Sequence, residues 1–271
     1  MKIAAGIEYC GTRFSGWQRQ KHSQGIQELV ENAFSMVANE KIHVHCAGRT
    51  DTGVHALHQV IHFESPVQRQ SHSWVFGANA NLDRDITVLW SCPVPGDFHA
   101  RFSACGRRYR YLILNRDTRP GINNGFTAWE YRELDVELMS AAARFLVGEH
   151  DFTSFRGSGC QAKSPVREVR ELTVCRRGEY IVIDIHANAF LMHMVRNIVG
   201  VLTSVGMGRH EPGWVQAVLA ARDREKGGVT APPQGLYLMD IDYPEKFGIP
   251  CRSTPAWPQL DYTVGERQND R

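Results

Sequence analysis

The sequence predicts an α+β fold built largely on antiparallel sheet, and three observations carry that reading. Residues 169–188, "VRELTVCRRGEYIVIDIHAN", alternate on either side of Arg177-Gly178 and have the form of a hairpin. Each half of the chain runs through strand, helix and further strands, without the regular strand–helix alternation of a doubly wound parallel sheet. The two halves meet around residues 100–106 with no Pro/Gly linker between them.

Each element follows from its periodicity. "KIAAGIEY" (2–9) places Ile3, Ala5, Ile7 and Tyr9 on one face and reads as a strand. "GIQELVENAFSMVANE" (25–40) sets Ile26, Leu29, Val30, Ala33, Phe34 and Val37 at helical spacing. A short strand is expected over 41–48, strands over 59–65 and 86–94, and a helix or turn near 72–80. The second series begins with a strand over 107–115 and a helix over 134–148 that stops at Gly148. The hairpin follows, then helices near 189–206 and 213–222 and a closing strand over 235–243. This organisation gives an N-terminal α/β subdomain (1–104), a C-terminal α/β subdomain (105–247) and an extended tail (248–271) marked by Pro250, Pro255 and Pro258.

Composition narrows the class. With 271 residues, 42% hydrophobic and 22% charged, the chain can bury a core. No basic-then-apolar leader and no membrane-length apolar run are visible, so the expectation is a soluble chain with no membrane partner. Seven cysteines, none spaced CxxC, suggest reduced thiols and a cytoplasmic location. The net charge of +2 neither demands nor excludes nucleic acid. Its make-up favours arginine, 25 against six lysines, and guanidinium forks suit phosphates and carboxylates.

The stretch "CAGRTDTGVHA" (46–56) contains Asp51-Thr52-Gly53, the triplet of an aspartic protease. That chemistry needs two carboxylates sharing a proton. No second DTG or DSG occurs, and Arg49 would keep the carboxylate ionised. A glycine-flanked Asp between strands can close a turn or pair with Arg49, or it can meet a ligand. The apolar helix "NAFLMHMVRNIVGVLTSVG" (188–206) adds weight, because His193, Arg196, Asn197 and Gly200 fall on one face of it. A buried arginine needs an anion, so Arg196 clamps a carboxylate that is either structural or catalytic. In "RRYRYLILN" (107–115), Arg108 and Arg110 share one strand face while Arg107 and Tyr109 share the other. Such a strand is either a solvated edge or a platform for a base and its phosphates. His43, His45, Cys46, His55, His58 and His62 raise the question of zinc, but the HxxxH at His58 lacks the glutamate of HExxH and reads as β.

Six ordered blocks resemble the bacterial tRNA pseudouridine synthase A family over the chain up to about residue 245. They are "GIEYCGTRFSGWQRQ", "CAGRTDTGVHA", "DFHARFSACGRRYRYLILN", "GEHDFTSFR", "NAFLMHMVRNIVG" and "GLYL". Thr52 stands where the family usually has Ala, which accounts for the DTG. The resemblance implies two RRM-like α/β subdomains whose largely antiparallel sheets join over a central active-site cleft. It also implies Asp51 as nucleophile, Arg196 as its partner, Tyr109 on the target uracil, and Arg49 guiding or replacing the displaced nucleotide. A groove would be lined by Arg107, Arg108 and Arg110, with Arg13, Arg19 and Arg101. The expected reaction is isomerisation of uridine to pseudouridine at positions 38, 39 and/or 40 of tRNA by a homodimer, with no metal and no small-molecule cofactor. The rival readings are a non-catalytic RRM-like RNA-binding protein, a metal-dependent hydrolase using the histidines, and the aspartic protease.

Overall fold

The computed structural model describes residues 1–251, and the part of the expected tail beyond residue 251 lies outside them. The first alternating segment forms β1 (Lys2–Tyr9), followed by α1 (Ile26–Ala38), the two-residue β2 (His45–Cys46), β3 (His55–Glu64), α2 (Ser71–Asn79) and β4 (Ile86–Pro93). The second series comprises β5 (Gly106–Asn115), β6 (Ala128–Glu130), α3 (Val136–Ala143), β7 (Gly148–Asp151), β8 (Val166–Arg177), β9 (Tyr180–Ala187), α4 (Met194–Gly206), α5 (Trp214–Ala221) and β10 (Leu236–Asp242).

All ten strands belong to one sheet, in the order β4-β1-β3-β10-β5-β9-β8-β7, with β2 on β3 and β6 on β5. The pairings are antiparallel except for β6 on β5 and for β10 on β3, where Tyr237 faces His55 and Leu238 faces Ala56. The last strand therefore crosses back to lie between the two halves. It pairs antiparallel with β5 on its other side, Leu238 opposite Tyr109.

The helices cover one face. On the N-terminal side, Phe34 of α1 packs on Phe63 of β3 with ring centroids 4.7 Å apart, and Trp74 of α2 meets Phe63 edge-on at 5.2 Å. Such aromatic pairs add about 0.5–1.5 kcal/mol beyond their area. On the C-terminal side, Ile198, Val201, Leu202 and Val205 of α4 are fully buried in the same core. The opposite face carries a smaller cluster of Leu57, Leu112, Val182, Tyr237 and Met239.

Several elements depart from the sequence expectation for local reasons. The strand expected over 41–48 shortens to two residues. The helix expected over 134–148 is started by Asp135, whose side chain accepts the Leu138 N–H at 3.0 Å. It tightens into a 3-10 turn at Arg144–Leu146, and Gly148, at φ 108°, opens β7 rather than ending a helix. The helix expected from 189 starts at Met194, because the Asn188 carboxamide accepts the N–H groups of Ala189 (2.7 Å) and Glu168 (3.1 Å) and ties this stretch to β8.

Gly200 lets the segment before β10 lie against α4. A Cβ there would come within 1.8 Å of the Val229 carbonyl oxygen, and backbone cannot yield as a flexible side chain can. Gly200→Ala is expected to destabilise the fold by about 1–3 kcal/mol, read as a lowered urea midpoint. A second expectation concerns acid. Burial, then the charges of His99, His45 and Lys2, push His62 down to about 3, against about 6.5 in an unfolded chain. As pH falls from about 6.5 toward 3, the unfolded state takes up this proton before the folded state does, so stability is lost. The urea midpoints of wild type and His62→Gln should converge between about pH 7.5 and 5; parallel curves would remove His62 from the acid response.

Candidate active site

The loop between β2 and β3 is held from several directions. The Gln59 carboxamide clamps Gly48, accepting its N–H at 3.2 Å and donating to its carbonyl. Thr50 is buried, its hydroxyl 2.8 Å from that of Tyr9 and its carbonyl accepting the Trp17 N–H at 3.0 Å. Asp51 follows, and its own carbonyl accepts the Val54 N–H at 3.1 Å. With the backbone fixed on both sides, the Asp51 carboxylate is placed by the fold and remains about one-third exposed.

Its partner comes from α4. Arg196 Nη1 donates to Asp51 Oδ2 at 3.1 Å, and its Nε donates to the Ala231 carbonyl at 2.8 Å. The anion required by an arginine on an apolar helix is thus Asp51, 145 residues earlier in the chain. His193 Nε2 stands 3.4 Å from the same Oδ2. The segment that receives Arg196 is anchored in turn by Tyr111, whose hydroxyl donates to the Pro232 carbonyl at 2.7 Å.

Tyr109 closes the floor. Its ring packs edge-on against Phe190 with centroids 5.0 Å apart, and it lies within the field of Asp51. Burial pushes its phenol above the ordinary tyrosine value, so the ring is uncharged at neutral pH. Cys46 is no rival nucleophile, because burial pushes its thiol up to about 12 and only the thiolate attacks.

The other expected binding residues are placed differently from one another. Arg49 is exposed in the Asp51 loop. Arg107, on the Tyr109 side of β5, spends its guanidinium on the carbonyls of Ala104, Asn188, Ala47 and Arg101 at 2.8–3.2 Å, and burial lowers its pKa. The structure does not bring Arg108 and Arg110 to Asp51. They alternate to the other side of β5, where Arg110 makes a bidentate pair with Asp184 (2.7 and 2.9 Å) and Arg108 lies 3.6 Å from Glu171 and 3.7 Å from Asp242. Arg13 pairs with Asp83 and Asp85, Arg19 with Glu31, and Arg101 stacks over the exposed Phe102.

The histidines have separate partners. His58 bonds to Asp240 at 2.6 Å and accepts from Trp90 Nε1 at 2.9 Å, His55 accepts the Gly11 N–H, and His45 and His62 stack with centroids 5.0 Å apart. Among the described residues no group of three His, Cys, Asp or Glu side chains is disposed to hold a metal ion. Sequence reasoning placed His193 on the Arg196 face but gave it no contact with Asp51. The Tyr9–Thr50 and Gln59–Gly48 braces carry no sequence signal: the strand patterns at 2–9 and 59–65 say which side a residue faces and not which loop it holds.

A carboxylate about one-third exposed and held by a guanidinium, close to a buried aromatic ring, has the form of a single positioned nucleophile rather than a pair of acids. Comparison with known proteins points the same way. The family described as tRNA pseudouridine synthase matches residues 5–103 and 142–244. The chain is 56% identical over 256 residues to tRNA pseudouridine synthase A of Nitrosococcus oceani, covering 94% of this chain and 99% of that one. It is 53% identical over 251 residues to the Vibrio parahaemolyticus protein of that name (93% and 95% covered) and 51% over 249 residues to that of Coxiella burnetii (92% and 95%). With that extent of matching on both sides of the β5 strand, the chain belongs to the tRNA pseudouridine synthase family.

Proposed function

We propose that the chain isomerises uridine to pseudouridine in tRNA, with Asp51 as nucleophile, Arg196 holding it and Tyr109 supporting the target uracil. The observation that carries this reading is the Asp51 carboxylate, accessible and fixed by Arg196 at 3.1 Å beside the Tyr109 ring. The reaction is redox-neutral: the N1–C1′ bond breaks, a C5–C1′ bond forms, the proton on C5 leaves and N1 gains one. An ionised carboxylate can add to C6 of the uracil or to C1′ of the ribose, and both routes need the freed base kept in place while it turns. The guanidinium of Arg196 restricts the rotamer of the carboxylate. A uridine in a stem must first leave the stack, at a cost of about a few kcal/mol, and Tyr109 offers replacement stacking.

The six sequence blocks extend the reading to uridines 38, 39 and 40 of the anticodon stem-loop and to a homodimer across which one tRNA lies. Arg49, exposed beside Asp51, is the residue to fill the place of the displaced nucleotide. All seven cysteines are free, which fits a reducing cytoplasm. Among the described residues no helix is long and apolar enough to cross a membrane.

The test is tritium release from tRNA labelled at uracil C5, in buffer with EDTA. Asp51→Asn should lower release by about 10³-fold or more while tRNA binding persists; release unchanged by this substitution would return the protein to the class of RNA binders with a contaminating activity. Tyr109→Phe keeps the ring and should retain more than about a tenth of wild-type turnover, whereas Tyr109→Ala should lose about 10²-fold or more. Because burial raises the Tyr109 phenol, its deprotonated form appears only above the ordinary value of about 10, and turnover should show no loss attributable to it below that pH. An alkaline limb near pH 9 that disappears in Tyr109→Phe would contradict the buried, neutral ring.

A further inference from the structure

His193 carries backbone strain that no capping role explains. Among the described residues three non-glycine residues have positive φ: Asn39 (52°), His193 (60°) and Arg222 (49°). Asn39 and Arg222 end α1 and α5, where a left-handed residue is a common way to stop a helix. His193 lies at the opposite kind of terminus, as the residue before α4, where extended backbone is the rule. Its side chain makes no cap bond there. Left-handed backbone is unfavourable for a residue with a Cβ, and such outliers concentrate where the surroundings hold them for a purpose.

What this backbone achieves is the placement of the ring. His193 Nε2 lies 3.4 Å from Asp51 Oδ2, the oxygen that Arg196 Nη1 holds at 3.1 Å. The wall on its other side is Gly157, where a Cβ would stand 2.9 Å from His193 Nδ1. The Gly157 N–H also donates to the Met192 carbonyl at 2.8 Å and fixes the chain immediately before the histidine. The charged and titratable groups of the surrounding elements are Asp51 from the β2–β3 loop, Arg196 from α4 itself and Tyr109 from β5. The loop bearing Gly157 adds Cys160, which accepts the Met192 N–H, and Arg156, which donates to the Cys160 and Ala162 carbonyls.

We propose that His193 is a second positioning residue for the Asp51 nucleophile, with its Nε2–H directed at Oδ2. Arg196 and His193 then share Oδ2, and Oδ1 is the oxygen that attacks. The imidazole makes and breaks no covalent bond. Loss of this contact therefore lowers turnover by loosening the carboxylate and leaves tRNA binding little changed. This inference rests on the pseudouridine-forming reading given above.

The experiment compares wild type with His193→Asn and His193→Gln for tritium release under saturating and limiting tRNA. Asparagine is well suited to left-handed backbone, and glutamine retains an N–H donor at longer reach. The expected result is a kcat about tenfold lower at pH 8 for His193→Asn, less reduced for His193→Gln, with KM for tRNA within about twofold of wild type. An active wild type whose folded variants keep the same kcat overturns the role of His193, as does a loss confined to thermal stability and KM. A wild type inactive on intact unmodified tRNA overturns the functional reading itself, and this inference with it.

Discussion

The pairing of β10 with β3 is the constraint on which the site depends. It is short, two residue pairs, and parallel in a sheet that is otherwise almost wholly antiparallel. Because the two strands run the same way, the loop that precedes β3 and the segment that precedes β10 emerge at the same end of the sheet. The first carries Asp51, and the second supplies the carbonyls that receive Arg196 and Tyr111. On its other side β10 aligns Leu238 with Tyr109, so one strand sets the relation between the Asp51 carboxylate, the Arg196 guanidinium and the Tyr109 ring. An antiparallel arrangement at that seam would send the two segments to opposite ends.

The electrostatics of the site are best judged by what they orient rather than by what they stabilise. Asp51 keeps about a third of its side chain exposed, and an ion pair in contact with water contributes on the order of 1 kcal/mol or less to folding. The same contact fixes a rotamer, which matters more to a group that must meet a substrate than to a fold. Arg107 illustrates the complementary use of the same side chain. Its donors go to four backbone carbonyls from three segments, joining the end of β2 to the stretch before β5 and to the end of β9. One guanidinium faces the chemistry, and the other holds together the walls around it.

Much of the local structure was legible in the sequence. The periodicity of residues 2–9, 25–40 and 169–188 corresponds to β1, α1 and the β8–β9 hairpin to within a few residues, because each buries one face against the core. The apolar helix with a lone Arg196 demanded an anion on energetic grounds alone, and the structure supplies Asp51. The three-residue β6 and the four-residue β7 were not legible, being too short to show a period. The late start of α4 depends on a carboxamide bond from Asn188 to β8, which propensity does not register. That the two halves share one sheet follows from the pairing of Tyr237 with His55 and Leu238 with Ala56, far apart in sequence, and no local pattern encodes it. For the arginines of β5, alternation correctly separated Arg108 and Arg110 from Tyr109, but the acidic partners Asp184 and Asp242 lie on β9 and β10 and could not be foreseen.

The late position of β10 has a consequence for the birth of the protein. Strands β1 to β4 and helices α1 and α2 are synthesised first, and domains in general acquire structure from the N-terminal end. At that stage the Asp51 loop exists, but neither Arg196 nor the carbonyl at Ala231 has been made. Only when the strand ending at Asp242 has emerged and inserted between β3 and β5 does the carboxylate gain its guanidinium. A chain that stops short of β10 therefore lacks the strand that brings the Asp51 loop and the Arg196 anchor to the same end of the sheet.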